Sequence, residues 1–264
     1  MKEIHIAQII EQKTGKKLSR WKARFIERLI HEKEINYILR TYGHLEGAEF
    51  LEELVAYFGV GIEWIHSERL PDNGRCLFVC NHPLGGLDGI CLALMLHRKY
   101  GSVQYIVNDL LYNLGPLKTL FLPVNKYGSQ RREAIERLQA ELGGDAPVGS
   151  FPAGLCSRYI DGKVQDIPWQ KSFVNQAITY ERDIVPLRFE GKNTRHFYLL
   201  EYWRTKLGIK LNLGTALLPD EMFRSKKKKF KILVGEPIAW QSLKESGKKA
   251  QVLADEIRSI SYSL

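Results

Sequence analysis

Long apolar runs are missing from this 264-residue chain. A membrane-crossing helix needs about 20 consecutive apolar residues, and the most apolar window, Leu77 to Leu96, is broken by Asn81, His82, Asp88 and several glycines. The N-terminal Met1-Lys2-Glu3 leads into a polar stretch without the apolar core of a signal peptide, so no targeting segment is expected. Cysteine is scarce. Cys76, Cys80, Cys91 and Cys156 have neither the even spacing of a disulfide scaffold nor the paired short spacing of a zinc site, which points to a reducing compartment and to no bound metal. There is no internal repeat and no low-complexity tract beyond Lys226 to Lys229. The Gly-x-Ser-x-Gly elbow of the common esterases is also absent.

What is present reads as an ordinary globular protein: 44% hydrophobic and 26% charged residues, with a mean hydropathy of -0.25. Lys and Arg number 39 against 30 Asp and Glu, for a formal charge of +9. A surface of that sign attracts nucleic acid, phospholipid headgroups or an acidic protein. No recognition-helix, zinc-finger or aromatic-sheet signature accompanies the basic residues, so nucleic acid is not an expected partner.

The chain divides into a helical first quarter and an alternating remainder. From Leu18 to Leu39 apolar residues recur at Trp21, Phe25 and Leu29, at Ile26 and Ile30, then at Ile35, Ile38 and Leu39, while Lys17, Arg20, Lys22, Arg24 and Arg28 fill the gaps. That spacing predicts an amphipathic helix whose stripe either packs on a core or lies in an anionic membrane surface. A second helical pattern, Phe50 to Phe58, stops at Gly59 and Gly61. Residues 1–66 are therefore read as an N-terminal helical segment and candidate membrane-docking element, and residues 67–264 as an α/β domain.

After the turn cluster Pro71-Asp72-Asn73-Gly74, apolar runs of five or six residues alternate with helical stretches. Strands are predicted at 76–80, 103–107, 120–124, 147–151, 184–189 and 230–234. Helices are predicted near 89–100, 130–142, 172–180 and 243–260. Such alternation implies a mainly parallel sheet flanked by helices, with functional groups at the carboxyl ends of the strands.

Directly after the first of those strands comes Asn81-His82-Pro83-Leu84-Gly85-Gly86-Leu87-Asp88-Gly89. A strand that ends at a histidine, turns through Pro and Gly-Gly and meets an aspartate at a helix start brings imidazole and carboxylate together. The carboxylate then fixes the tautomer, and the far nitrogen is free to take a proton from a nucleophile. Two plainer readings stand beside it: Asp88 as a helix cap and His82 as a buried hydrogen-bonded residue. Cys80 falls on the strand face of Cys76 and Phe78 and reads as a small buried hydrophobe rather than a nucleophile.

Asn81-His82 through Asp88 resembles the first motif of the glycerolipid acyltransferases, the lysophosphatidate and glycerol-phosphate acyltransferase family. Phe151-Pro152-Ala153-Gly154 looks like that family's third motif, usually Phe-Pro-Glu-Gly, and Val185-Pro186 its fourth. Tyr127 with Arg131 or Arg132 sits where the second, substrate-binding motif belongs. The resemblance spans roughly Pro71 to Phe189, with the four motifs in family order. Two departures mark it: five residues rather than four separate His82 from Asp88, and Ala153 replaces the motif's acidic residue, with Leu155-Cys156-Ser157-Arg158 following. This variant looks most like the hemolysin-like bacterial branch, some members of which put the ester-linked acyl chain on ornithine or glycine lipids.

The resemblance implies transfer of an acyl chain from a thioester, carried by acyl carrier protein or coenzyme A, to the hydroxyl of a lipid acceptor. His82 would be the base and Asp88 its orienter. Asn81, Lys126, Arg131, Arg132, Phe151, Pro152, Gly154 and Arg158 would bind substrate, and no metal or other cofactor is implied. Lysophosphatidate is the alternative acceptor to an N-acyl amino-acid lipid, and a membrane-binding hemolysin-like protein is the non-enzymatic alternative. With no spanning segment, the implied location is peripheral, on the cytoplasmic face of the membrane. Lys226 to Lys229 with Lys231 would add attraction to anionic headgroups there, or form a solvated loop.

Overall fold

A computed structural model describes residues 3–15, 17–107, 115–123, 131–208 and 213–264. Four helices open the chain: α1 (Ile6–Thr14), α2 (Arg20–Leu29), α3 (Glu32–Tyr42) and α4 (Gly47–Phe58). They lead into a seven-stranded sheet with order β1-β9-β8-β2-β5-β3-β4. Its members are β1 (Gly61–Ile65), β2 (Cys76–Cys80), β3 (Gln104–Val107), β4 (Phe121–Pro123), β5 (Val148–Ser150), β8 (Asp183–Glu190) and β9 (Lys229–Val234). Every pairing in it is parallel except β8 with β9. A separate antiparallel hairpin joins β6 (Arg158–Ile160) to β7 (Lys163–Gln165). The remaining helices are α5 (Leu87–Tyr100), α6 (Arg131–Gly143), α7 (Ser172–Thr179), α8 (Arg195–Lys206), α9 (Leu213–Arg224), α10 (Trp240–Glu245) and α11 (Ala250–Ser263). The expected α/β architecture, a mainly parallel sheet flanked by helices, is the one observed.

Alternation along the buried strands builds two cores. Cys76, Phe78 and Cys80 of β2 face one side with Val185, Leu187 and the apolar faces of α4 and α5. Leu77 and Val79 face the other side, against Phe173, Val174 and Ala177 of α7 and Leu253, Ala254 and Ile257 of α11. With both faces covered, β2 is a continuous apolar run, as parallel central strands are. Arg182 ties this layer together. Its fully buried guanidinium donates to the carbonyls of Leu142 at 2.6 Å, Ala146 at 2.8 Å and Glu141 at 2.9 Å. Arg182→Met would orphan those carbonyls, and urea unfolding is expected to show a loss of roughly 3 kcal/mol with an unchanged denaturant slope.

Three readings of the sequence need correction. The helix predicted over 18–39 is two helices, because His31 takes a left-handed conformation (φ 56°). That residue bonds Asp220 at 2.9 Å and stacks on Phe223 with centroids 4.3 Å apart, so a tertiary contact overrides the periodicity. The closing helix is split into α10 and α11 around Gly247 at φ 64°. Residues 61–65, counted with the N-terminal segment from sequence, form the edge strand β1, paired with β9. On α2, Trp21 and Phe25 are 68% and 63% exposed, so they do not pack on the core. The lysine run forms the turn from α9 into β9, where Lys226 lies 4.1 Å above the Tyr57 ring.

Candidate active site

The carboxyl end of β2 is held open for chemistry by Asn81. Its side-chain oxygen accepts from the Phe189 amide at 2.7 Å and its amide donates to the Phe189 carbonyl at 3.1 Å, so the loop leaves the sheet from a fixed point on β8. His82 follows, with Nδ1 3.0 Å from Asp88 Oδ2. Asp88 is fully buried in the first turn of α5, where the helix dipole favours a carboxylate. It accepts from the backbone amides of Leu84 at 2.8 Å, Gly85 at 3.3 Å and Gly89 at 3.0 Å. The extra residue between histidine and aspartate is absorbed in this turn. Gly85 adopts φ 76°, and a Cβ there would fall 2.7 Å from Leu218, so only glycine fits.

The imidazole is clamped as well as hydrogen-bonded. Its ring stacks on Phe151 with centroids 3.9 Å apart and planes 18° apart. Phe151 in turn lies close over Gly89, where an added Cβ would meet the ring at 3.3 Å, and against Tyr105. Among the described residues none bonds His82 Nε2. Behind the loop, buried Asp166 accepts from the His82 amide at 3.2 Å, from Ser157 Oγ at 2.6 Å and from Trp169 Nε1 at 2.9 Å, and the Ser157 amide donates to the His82 carbonyl at 2.8 Å. The histidine backbone is thus fastened on both sides to the segment after Gly154.

Burial disfavours the imidazolium, but the Asp88 charge and hydrogen bond outweigh it and hold His82 above its ordinary value. Burial alone would raise Asp88, but His82 and the amides of Leu84 and Gly89 bring it below the usual carboxylate range. Burial pushes the Asp166 carboxyl up despite its three donors. Cys80 is fully buried and its thiol is pushed well above the ordinary value by desolvation, which suits the packing reading and not a thiolate nucleophile.

The substrate-binding candidates are placed unevenly. Phe151 belongs to the dyad's immediate surroundings, as above. Pro152 is buried and its carbonyl accepts from the Gln170 amide at 3.0 Å, while Gly154 closes the turn at φ 67°. Arg158 is engaged by buried Glu201, Nε to Oε2 at 3.3 Å, and sits 5.6 Å above the Phe197 ring. Arg132 lies on the exposed side of α6 with its side chain 90% exposed, paired with Glu136 at 2.9 Å. Arg131 opens α6, but its side chain lies outside the described residues, as does Lys126 altogether. Asp166 escapes the sequence reading because it stands in no recognisable motif, and Ser157, in the continuation of the third motif, has no role there. A cavity of about 450 Å³ adjoins the loop's outer side, lined by Asn81, Pro83, Ser157, Arg188, Lys192 and Tyr262 among others.

A helix-flanked parallel sheet, with acyltransferase-like motifs gathered at the ends of β2 and β5, defines an α/β acyltransferase. The match to that family runs over residues 9–264, and the chain belongs to it. Two relatives are aligned over 99% of this chain. The lyso-glycine lipid O-acyltransferase of Phocaeicola vulgatus is 40% identical and covered over 95% of its length. The protein of the same name from Bacteroides thetaiotaomicron is 37% identical and covered over 97%. The crystal structure of the 1-acyl-sn-glycerophosphate acyltransferase PlsC from Thermotoga maritima shares the fold, with a TM-score of 0.50 and 16% identity over 97% of this chain and 86% of that one. Among the described residues no helix is long and apolar enough to cross a membrane.

Proposed function

We propose that the protein transfers a fatty acyl chain from a thioester to the hydroxyl of a lyso-glycine lipid. The observation that carries the reading is the 3.0 Å His82–Asp88 contact at a strand end, in a chain 40% identical over 99% of its length to a lyso-glycine lipid O-acyltransferase. Nε2 of His82 removes the acceptor hydroxyl proton. The oxygen attacks the thioester carbonyl, the tetrahedral intermediate collapses with cleavage of the C–S bond, and the proton passes from the imidazolium to the departing thiolate. Asp88 holds the proton on Nδ1 so that Nε2 stays basic, and Phe151 keeps the ring in plane. The donor is an acyl thioester of acyl carrier protein or coenzyme A, and the protein's own residues supply the acid–base chemistry.

The enzyme acts at the cytoplasmic membrane surface. Trp21 and Phe25 are exposed on α2 beside Arg20, Lys22, Arg24 and Arg28, the arrangement of an interfacial helix. Four free, buried cysteines fit a reducing compartment. A Trp21→Ala, Phe25→Ala variant is expected to sediment less with anionic vesicles than the wild type at low salt.

The purified protein, given lyso-glycine lipid and acyl-carrier-protein or acyl-coenzyme A thioester, should form diacylated glycine lipid, read by mass spectrometry. Acylation of lysophosphatidate in preference to lyso-glycine lipid would overturn the acceptor assignment.

A further inference from the structure

Helix α8 carries apolar side chains both toward the core and toward solvent. Phe197 and Tyr198 turn inward and are buried beside Cys156. Leu199, Leu200, Tyr202 and Trp203 face outward and are exposed, and Leu207, just past the helix end, is 69% exposed. Such a cluster of exposed large apolar side chains marks an interaction surface, and leaving it in water costs about 25 cal/mol per Å². The patch continues onto the hairpin. Tyr159 of β6 meets Tyr202 edge-on at 6.3 Å, and Tyr202 meets Trp203 at 5.6 Å.

The exposed charges of the helix itself are of one sign. Lys206 Nζ lies 5.3 Å above the Trp203 ring and 5.8 Å above that of Tyr202. Arg195 and Lys206 are exposed, whereas Glu201, the helix's one acid, is buried between Arg158 and Arg204. Aromatic rings bordered by cations are the composition of a protein surface seated in the bilayer interface. A second copy of the chain would set the same positive residues against each other. An acidic carrier would suit the cations but not the leucines.

We propose that the outer face of α8, with Tyr159 and Leu207, is a membrane-docking surface distinct from α2, seated in an anionic bilayer with Trp203 and Leu207 at the acyl boundary. The inner side of the same helix reaches the catalytic loop. Glu201 pairs with Arg158, whose neighbour Ser157 bonds both Asp166 and the His82 backbone. The acceptor lipid therefore enters from the interface alongside α8. This rests on the acyl-transfer reading for its purpose, but the binding itself is measured without catalysis.

The test is partition of the full-length protein onto phosphatidylglycerol–phosphatidylcholine vesicles, with brominated lipid as a depth probe, for wild type and for Trp203→Ser, Leu207→Ser. Both replaced residues are exposed, so folding is unaffected. The expected result is quenching of wild-type tryptophan fluorescence by the brominated lipid and a roughly tenfold or greater loss of partition in the variant, with transfer to detergent-dispersed acceptor unchanged. Equal partition of the two proteins would overturn the proposal. So would a wild-type dimer that the double variant dissolves, which assigns the face to self-association. If partition depends on these residues while dispersed lyso-glycine lipid is not acylated, the docking surface stands and the acceptor assignment fails.

Discussion

His82→Ala is expected to lower kcat by about 10²- to 10⁴-fold, the range that a positioned general base supplies. The fold should survive, because the imidazole is near the surface at 12% exposure and the groups that hold its backbone, Asp166 and the Ser157 amide, act on main-chain atoms. Circular dichroism and the urea midpoint separate the two effects: lost turnover with a nearly unchanged midpoint assigns proton abstraction to this ring. Retained turnover in a folded variant would remove His82 from the mechanism.

Asp88→Asn should be nearly as damaging, by up to about 10⁴-fold, for a different reason. An amide at that position can present a donor to Nδ1 and so drive the proton onto Nε2, leaving the catalytic nitrogen unable to act as a base. The variant also carries a pH signature. With His82 as the proposed base, the neutral ring would be the active form, and because Asp88 holds the imidazole above its ordinary value near 6.5, activity is expected to fall with acidification from above that value. Without the carboxylate, burial dominates and favours the neutral ring, so the acid limb of the residual activity moves to lower pH. A limb that stays in place would mean that another group sets it.

The parts of the fold that were legible in the sequence are those where burial is strongest. Cys76 to Cys80 is buried on both faces and reads as a central strand, and the Pro–Gly-Gly turn after it names the place where His82 and Asp88 meet. Edge and surface elements left weaker traces. Gly61–Ile65 is only half-buried, so β1 has no apolar run, although it is part of the sheet. The hairpin β6–β7 did carry a signal: Asp161-Gly162, both at positive φ, is the Asp-Gly turn that closes short hairpins. Helix α8 hides its period because apolar and polar side chains alternate on both its inner and outer sides, and α9 because Pro219 stands within it. Asp166 is invisible for a geometric reason. It reaches His82 only because the hairpin folds back over the strand end, and nothing local in the sequence records that return.

Two of the basic residues expected to bind substrate have partners in the structure. Arg158 spends its charge on Glu201 and links the catalytic turn to α8, while Arg132 stands in solvent beside Glu136. Neither stands as an unpaired anion clamp.

The proposed role of the His82–Asp88 pair is to complete a glycine lipid. The most direct measurement is the lipid profile of cells whose own gene is replaced by the His82→Ala allele, against the wild-type allele expressed to the same level. The mono-acylated glycine lipid is expected to accumulate and the diacylated form to disappear. A profile in which diacylated glycine lipid is unchanged while phosphatidate falls would contradict it.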